Sequence, residues 1–411
     1  MVSTVLLIII YLSFISLGLP DSLLGSAWPS MYGGLNVPPH YAGYISMIIA
    51  GGTVVSSFFS AKIIRRFGTG IVTAFSVLLT AIALLGFSFS YMAASAAFTL
   101  LCVCAIPLGL GAGSVDAALN NYVALHYKAK HMSWLHCFWG VGASIGPLIM
   151  SYFLVNRNSW NLGYRAIGLL QCCLVAILFA TVPLWGKNKS QSNNGKDEPH
   201  QGVKLKELFH TAGVKQILIA FFCYCSLEST AILWGSSFLV MEKNIAPEIA
   251  ARWIALFFIG IMAGRFISGF LTMKLNNRQM VRLGQAFVAC GIITIILPFG
   301  KLLLLPGFFI IGLGCAPIYP SLLHETPRNF GSGKSQAIMG IQMASAYIGT
   351  TFMPPLFGKM TSFLSFRIFP FFIGVILILN IIMVELLNRK IDTQPNPKGE
   401  GSPLDTQKCM L

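Results

Sequence analysis

Long apolar segments recur along the chain and constrain its fold more than any other feature. A helix needs about 20 apolar residues to cross the roughly 30 Å hydrocarbon core of a bilayer. The composition, 55% hydrophobic and 10% charged, is typical of a membrane protein, and a spanning β-barrel would instead show short strands of alternating polarity. The sequence therefore predicts an all-α membrane protein with twelve transmembrane helices, at approximately 3–28, 41–62, 70–90, 94–125, 133–155, 162–185, 213–241, 249–273, 279–299, 302–324, 334–358 and 366–388.

The longest polar stretch lies at the midpoint, with six apolar segments on each side. It predicts a flexible linker followed by a short amphipathic segment at Val203–His210. The two sides share a motif, because Gly109-Leu110-Gly111 in the fourth segment matches Gly312-Leu313-Gly314 in the tenth. We therefore expect four parts: an N-terminal six-helix bundle (1–186), a cytoplasmic linker (187–212), a C-terminal six-helix bundle (213–388) and a cytoplasmic tail (389–411).

The basic residues are distributed asymmetrically about the predicted spans. The formal net charge of +15 could indicate nucleic acid binding. However, most of the Lys and Arg residues fall on one side of the membrane if the N-terminus is cytoplasmic. This positive-inside bias predicts a multi-pass protein of the cell membrane with both termini in the cytoplasm, and no nucleic acid partner.

Three carboxylates lie deep in predicted spans: Asp21 in the first, Asp116 in the fourth and Glu228 in the seventh. An ionised side chain at the bilayer centre costs roughly 2.5–3.5 kcal/mol on insertion scales. A low-dielectric site favours the neutral carboxyl group, so these residues could bind and release protons. Each could instead be a structural polar residue that is satisfied by a neighbouring helix.

The surroundings of Asp21 differ from those of an ordinary apolar helix. Gly18, Pro20, Gly25 and Pro29 lie within the same short stretch and weaken the helix locally. A chain that needed only an anchor would gain nothing from this combination. We expect this stretch to line a polar cavity inside the bundle.

Several polar and aromatic residues in the spans could contact a substrate. Amide groups supply paired donors and acceptors, and indole faces stack on sugar rings. His136 could also be structural, Gln342 could serve helix packing, and Trp28 has the pattern of an interfacial tryptophan. We expect Arg265 in the eighth segment to snorkel towards the cytoplasmic end. The candidates for substrate binding are Asn120, Asn121, His136, Trp139, Glu228, Trp234 and Gln342.

The stretch Ala61-Lys62-Ile63-Ile64-Arg65-Arg66-Phe67-Gly68 resembles the G-x-x-x-D-R-x-G signature of the major facilitator superfamily. Ala61 replaces the signature Gly and Arg65 replaces the Asp. The resemblance covers essentially the whole chain and implies two pseudo-symmetric six-helix bundles whose first, fourth, seventh and tenth helices line a central cavity. Since the family Asp helps to lock the cytoplasmic gate, Arg65 implies a different gate here.

A closer resemblance is to the fucose permease branch of proton-coupled sugar symporters. It rests on Gly18-Leu-Pro-Asp21, on Gly109-Leu-Gly with Asp116 and Asn120, and on His136-Cys-Phe-Trp-Gly-Val-Gly-Ala143. The last run is similar to a Q-S-F-N-G-x-G-A pattern, with His136 and Trp139 in place of Gln and Asn residues that contact sugar. The resemblance implies that Asp21 and Asp116 couple transport to protons. Glu228 is a third coupling candidate that could instead bind substrate hydroxyls.

Together these features predict a secondary active transporter that moves a small hydroxylated solute, a sugar, with protons by alternating access. A proton-coupled exporter of drugs or amphipathic metabolites is the alternative, because Gly140–Pro147 partly resembles the G-x-x-x-G-P motif of drug antiporters. A sensor that binds without transport is a third class. We expect no enzymatic activity, cofactor or metal, and a monomer in the bilayer whose partners are a small molecule and protons.

Overall fold

The computed structural model of the protein describes residues 2–127, 129–186, 205–298 and 300–393. These residues form helices joined by short turns, and no strand occurs among them. The helices in chain order are α1 (Val2–Asp21), α2 (Leu23–Met31), α3 (Ala42–Phe67), α4 (Thr69–Phe89), α5 (Ala97–His126), α6 (Ala129–Arg157), α7 (Trp160–Gly186), α8 (Leu205–His210), α9 (Val214–Met241), α10 (Pro247–Leu271), α11 (Asn277–Ile296), α12 (Leu304–Phe330), α13 (Ser332–Thr361) and α14 (Phe369–Asp392).

Eleven helical segments of the described chain are long and apolar enough to cross a membrane, with α1 and α2 forming one of them. The twelfth long helix, α13, has 30 residues but a more polar composition. It packs against α9 and α3 in the same way as the apolar helices pack against each other. The prediction of an all-α protein with twelve transmembrane helices is therefore confirmed. Most of the predicted linker and tail lie outside the described residues, and α8 forms part of the expected amphipathic segment.

The first span is broken where the sequence predicts a weak point. Helix α1 ends at Asp21 and α2 begins at Leu23, with Ser22 between them at φ −97° and ψ −9°. Serine hydroxyls satisfy backbone carbonyls around the break: Ser22 Oγ donates to Leu19 O at 3.2 Å and Ser26 Oγ donates to Ser22 O at 2.9 Å. Asp21 is exposed at this break, whereas Ser22 and Leu23 are buried.

The two halves of the molecule, α1–α7 and α9–α14, repeat the same packing. In the first half α3 and α4 pack on α5, and α1 packs on α6; in the second half α10 and α11 pack on α12, and α9 packs on α13. The glycine motifs found in the sequence lie at equivalent contacts. A Cβ atom on Gly109 would lie 2.2 Å from the Ile49 carbonyl oxygen on α3, and one on Gly312 would lie 1.9 Å from the Phe257 carbonyl oxygen on α10. The halves are therefore pseudo-symmetric.

Contacts between the halves close one end of the bundle, the end at which α2 finishes and α3 begins, which we call the Met31 end. There α2 packs against α9, with Gly25 lying against Ile232. The Ser151 hydroxyl on α6 donates to the Glu248 carbonyl on α10 at 2.7 Å. The two halves are therefore in direct backbone-level contact at that end.

Candidate functional site

Asp21 lies at the centre of a polar cluster between the halves. Its Oδ2 accepts a hydrogen bond of 2.8 Å from Trp139 Nε1 on α6. This pairing depends on the close crossing of α1 and α6, since a Cβ atom on Gly18 would lie 2.1 Å from the Trp139 carbonyl oxygen. An exposed carboxylate in the middle of a membrane span indicates an internal cavity rather than contact with lipid.

Asp116 on α5 is the second carboxylate of the cluster and lies close enough to Asp21 to interact with it electrostatically. Its Oδ1 accepts a hydrogen bond of 2.9 Å from Asn120 Nδ2, one helical turn later. The side-chain oxygen of Asn120, Oδ1, is buried and has no hydrogen-bond partner in the described part of the chain. Asn121 is exposed and follows about 100° further around the helix, so the two amides do not form a pair.

Glu228 on α9 is the third carboxylate, and it belongs to the second half. It is half-buried, and its Oε1 has no hydrogen-bond partner among the residues that the structure describes. Tyr224, one turn earlier, forms a side-chain hydrogen bond with Glu228, and Arg265 on α10 interacts with it electrostatically. Arg265 is therefore a nearby positive charge for Glu228, although the two side chains form no ion pair in this conformation.

Arg265 does not snorkel to the membrane surface, which corrects the expectation from the sequence. Its Nη1 donates to the His136 carbonyl oxygen at 3.3 Å, and its Cζ lies 5.1 Å from the centroid of the Trp139 ring. A guanidinium at that distance from an indole is attracted by the ring quadrupole. The carbonyl, the ring and Glu228 together stabilise the cation within the bundle, so outward extension is not needed.

Two tyrosines complete the cluster and were not among the sequence candidates. Tyr319 on α12 interacts electrostatically with both Asp116 and Glu228. Tyr347 on α13 interacts with Asp116 and shares a hydrogen bond with Ser57 on α3. Tyr319 lies in the glycine- and proline-rich run of the tenth segment, which could have indicated it, whereas no sequence signal marks Tyr347.

The structure does not bring every sequence candidate into this cluster. Trp234 is completely buried, and its Nε1 donates to the Pro354 carbonyl at 2.8 Å. Gln342 is also completely buried, and its Nε2 donates to Thr326 Oγ1 at 3.0 Å. Both side chains serve helix packing in the second half, which for Gln342 was one of the two interpretations of the sequence.

His136 and Trp28 both make contacts of a structural kind, which for His136 was one of the interpretations of the sequence. The His136 ring packs edge-on against Phe14, with centroids 5.9 Å apart, while its backbone carbonyl accepts from Arg265. Trp28 is completely buried and donates to the Pro39 carbonyl at 2.5 Å, so its indole packs inside the protein near the end of the first span and does not face lipid. The described residues contain no group of three or more His, Cys, Asp or Glu side chains that could hold a metal ion.

Comparison with known proteins identifies the family. A model of the Major Facilitator Superfamily matches residues 10–334 and 217–408 of the chain. The chain belongs to this superfamily. The fold agrees: a D-xylose–proton symporter superposes with a TM-score of 0.72 at 14% identity, covering 97% of this chain and 99% of that one.

Two further proteins are similar to this chain. The glucose/mannose transporter GlcP of Bacillus subtilis (strain 168) is 24% identical over 224 residues, which is 52% of this chain and 53% of GlcP. The chain thus spans about half the length of this relative. A bacterial homologue of the human lysosomal transporter Spinster, in an inward-facing and unoccupied conformation, superposes with a TM-score of 0.74 at 11% identity, covering 97% of this chain and 99% of that one.

The superfamily signature region is helical almost to its end. Helix α3 continues to Phe67, and Gly68 alone makes the turn into α4. Its φ of 83° lies in the region that residues with a Cβ rarely adopt. Arg65, which replaces the signature Asp, is exposed on the last turn of α3.

Proposed function

We propose that this protein is a secondary active transporter that moves a sugar together with protons by alternating access. The proposal rests on one polar cluster that contains Asp21, Asp116 and Glu228, with the guanidinium of Arg265 against the Trp139 ring that bonds to Asp21. With every group ionised, the site would hold two more negative charges than positive ones. Protons are the smallest cations that can neutralise such a site, and each is released again when the environment changes.

Recognition of a hydroxylated solute is supported by the polar groups beside these carboxylates. The buried side-chain oxygen of Asn120, Oδ1, can accept a hydrogen bond from a hydroxyl, and Oε1 of Glu228 can accept another. The Trp139 indole provides an aromatic surface next to them. A relative that transports glucose and mannose and a structural neighbour that is a D-xylose–proton symporter support a sugar as the substrate class.

Alternating access would occur by rocking of the two bundles, 1–186 and 213–388, around the central cluster, while 187–212 and 389–411 act as linker and tail. The positive-inside bias makes the Met31 end the outer end and places both termini in the cytoplasm. The conformation closed at the Met31 end is then inward-facing, like that of the Spinster homologue. A membrane potential would add about 2.3 kcal/mol per proton per 100 mV to the driving force.

The test is counterflow in proteoliposomes loaded with unlabelled hexose, followed by uptake against a sugar gradient under an imposed pH gradient. We expect labelled hexose to exchange, and we expect an inward proton gradient to drive its accumulation. Cationic amphiphiles form the second arm of the screen. Exchange of amphiphiles without exchange of sugars would contradict the proposal and favour a drug exporter; binding of sugar without any exchange would favour a sensor.

A further inference from the structure

Trp139 contacts a charged group on each of two sides. Its Nε1 donates to Asp21 Oδ2 at 2.8 Å, and its ring centroid lies 5.1 Å from Arg265 Cζ. Asp21 and Trp139 belong to the first half of the molecule, while Arg265 belongs to α10 in the second half. The indole therefore contacts a carboxylate of one half and a cation of the other half at the same time.

This arrangement differs from that of two tryptophans that are completely buried, Trp28 and Trp234. Trp28 and Trp234 donate to the backbone carbonyls of Pro39 and Pro354, which do not titrate. Trp139 instead donates to an ionisable acceptor. A hydrogen bond to an ionised carboxylate is roughly twice as strong as one to a neutral acceptor. The anchoring of the Trp139 ring therefore depends on whether Asp21 carries a proton.

Arg265 contacts one set of partners and interacts electrostatically with another, with which it forms no ion pair in this conformation. Across the halves it contacts the Trp139 ring and the His136 carbonyl, and within its own half it faces Glu228, whose Oε1 is unpartnered in the described chain. A cation–π contact of this kind is weak enough to be exchanged for an ion pair. A change in the position of the indole can therefore decide which partner Arg265 holds.

We propose that Trp139 is a positioning residue that transmits the protonation state of Asp21 to Arg265. In the ionised state of Asp21 the indole is held and the contact between α6 and α10 is tight. Protonation releases the indole, Arg265 moves to Glu228, and the contact between the halves loosens. This inference rests on the proposed function and specifies how its proton site acts on the conformational equilibrium.

The direction of the effect follows from the conformation in hand. The contacts of Trp139 with Asp21 and Arg265 are present in the conformation whose halves meet at the Met31 end. Ionised Asp21 therefore stabilises that conformation, which favours release of the proton to the opposite side. The other ionisable groups on the packed helices do not bond to the indole N–H, and of them Asp116 acts electrostatically on Asp21. These groups are Asp116 on α5, His136 on α6, Tyr224 and Glu228 on α9, Arg265 on α10, Tyr319 on α12 and Tyr347 on α13.

The substitution Trp139→Phe keeps an aromatic face and removes the N–H group, so it tests the link directly. The measured quantity is the ratio of proton-driven sugar accumulation to sugar counterflow in proteoliposomes. We expect this ratio to fall about tenfold, the change that 1.4 kcal/mol of lost coupling produces. Trp28→Phe is the matched control, because it removes an indole hydrogen bond to a carbonyl, and its ratio should stay within about twofold of the wild type.

A Trp139→Phe ratio equal to that of the wild type would overturn the inference, as would an equal fall for Trp28→Phe. A second measurement needs no substrate: the wild-type minus Trp139→Phe difference in tryptophan fluorescence, followed against pH. We expect a pH-dependent change that Asp21→Asn abolishes. Persistence of that change in Asp21→Asn would refute the link, whereas absence of sugar transport in the wild type would refute the proposed function alone.

Discussion

The two halves of the molecule share their packing but differ in the charges that they bring to the centre. In the first half Asp21 and Asp116 each accept a hydrogen bond from a residue of the same half, Trp139 and Asn120. In the second half Glu228 has a hydrogen bond with Tyr224 but keeps one oxygen without a partner in the described chain, and Arg265 reaches across to the other half. Pseudo-symmetry has therefore preserved the positions where helices touch and not the polar groups between them.

This difference suggests a division of roles. The first half holds two carboxylates in fixed hydrogen-bonded positions, which suits groups that bind and release protons at a defined place. The second half holds a cation with two alternative partners, which suits a group that changes position between states. Four predictions test this comparison, and we take them from the largest expected effect to the smallest.

Asp21→Asn should have the largest effect on transport. The amide keeps the size of the side chain and a hydrogen-bond acceptor for Trp139, but it cannot release a proton. We expect uphill accumulation driven by a pH gradient to disappear, while counterflow continues and loses its dependence on pH in the range where the carboxyl titrates. Accumulation at the wild-type level in Asp21→Asn would assign the coupling to Asp116 or Glu228 instead.

Arg265→Ala should destabilise the protein, because it leaves Glu228 without its positive neighbour. We expect a loss of roughly 2 kcal/mol, because the variant also removes the charged hydrogen bond to the His136 carbonyl and the contact with the Trp139 ring. Thermal unfolding in detergent measures the change. Adding Glu228→Gln should recover part of the stability, since the uncompensated charge is then gone.

The control for Arg265→Ala is Arg278→Ala. Arg278 forms a 2.8 Å pair with Asp392, and both side chains are substantially exposed. Exposed pairs contribute at most about 1 kcal/mol, so this variant should unfold near the wild-type temperature. Equal losses in the two arginine variants would contradict the central position of Arg265.

Gly109→Ala and Gly312→Ala test the symmetric part of the comparison. Each added Cβ atom would meet a backbone carbonyl oxygen, of Ile49 or of Phe257. Overpacking of this kind costs about 1–3 kcal/mol, and we expect similar losses in both halves. Gly340→Ala, where no atom lies within 4 Å of the new Cβ, is the control for thermal unfolding. A large loss in one half alone would mean that the two crossings are not equivalent.

Trp234→Phe should have the smallest effect on coupling. It removes the hydrogen bond to the Pro354 carbonyl and should lower stability by about 1 kcal/mol. The ratio of proton-driven accumulation to counterflow should remain that of the wild type, because the indole does not contact the carboxylates. A selective fall in that ratio would return Trp234 to the site that the sequence suggested.

The spans, the break beside Asp21 and the paired glycine motifs could be predicted because each depends on residues close together in the sequence. Hydropathy identifies a membrane helix without knowledge of its neighbours, and Gly or Pro weakens a helix where it stands. Which face of a membrane helix points to the centre is different, because lipid-facing and protein-facing residues are both apolar. Trp139 and Trp234 therefore looked alike in the sequence, although only Trp139 reaches a carboxylate.

Arg265 shows the same limit. From the sequence, a basic residue in a span can reach the membrane surface or find a partner inside, and the first option costs less for a long side chain. The structure selects the second because α6 and α10 cross closely and present a carbonyl and an indole to the guanidinium. Tertiary contacts between helices far apart in the chain carry that information.

The most direct test of the account is sugar-dependent proton movement in proteoliposomes that contain a pH-sensitive dye. Addition of hexose to wild-type vesicles with equal pH on both sides should acidify the lumen as protons enter with the sugar, and Asp21→Asn should abolish this signal while it still exchanges labelled hexose. Hexose influx through the wild-type protein with no accompanying change in luminal pH would contradict proton-coupled transport through this cluster.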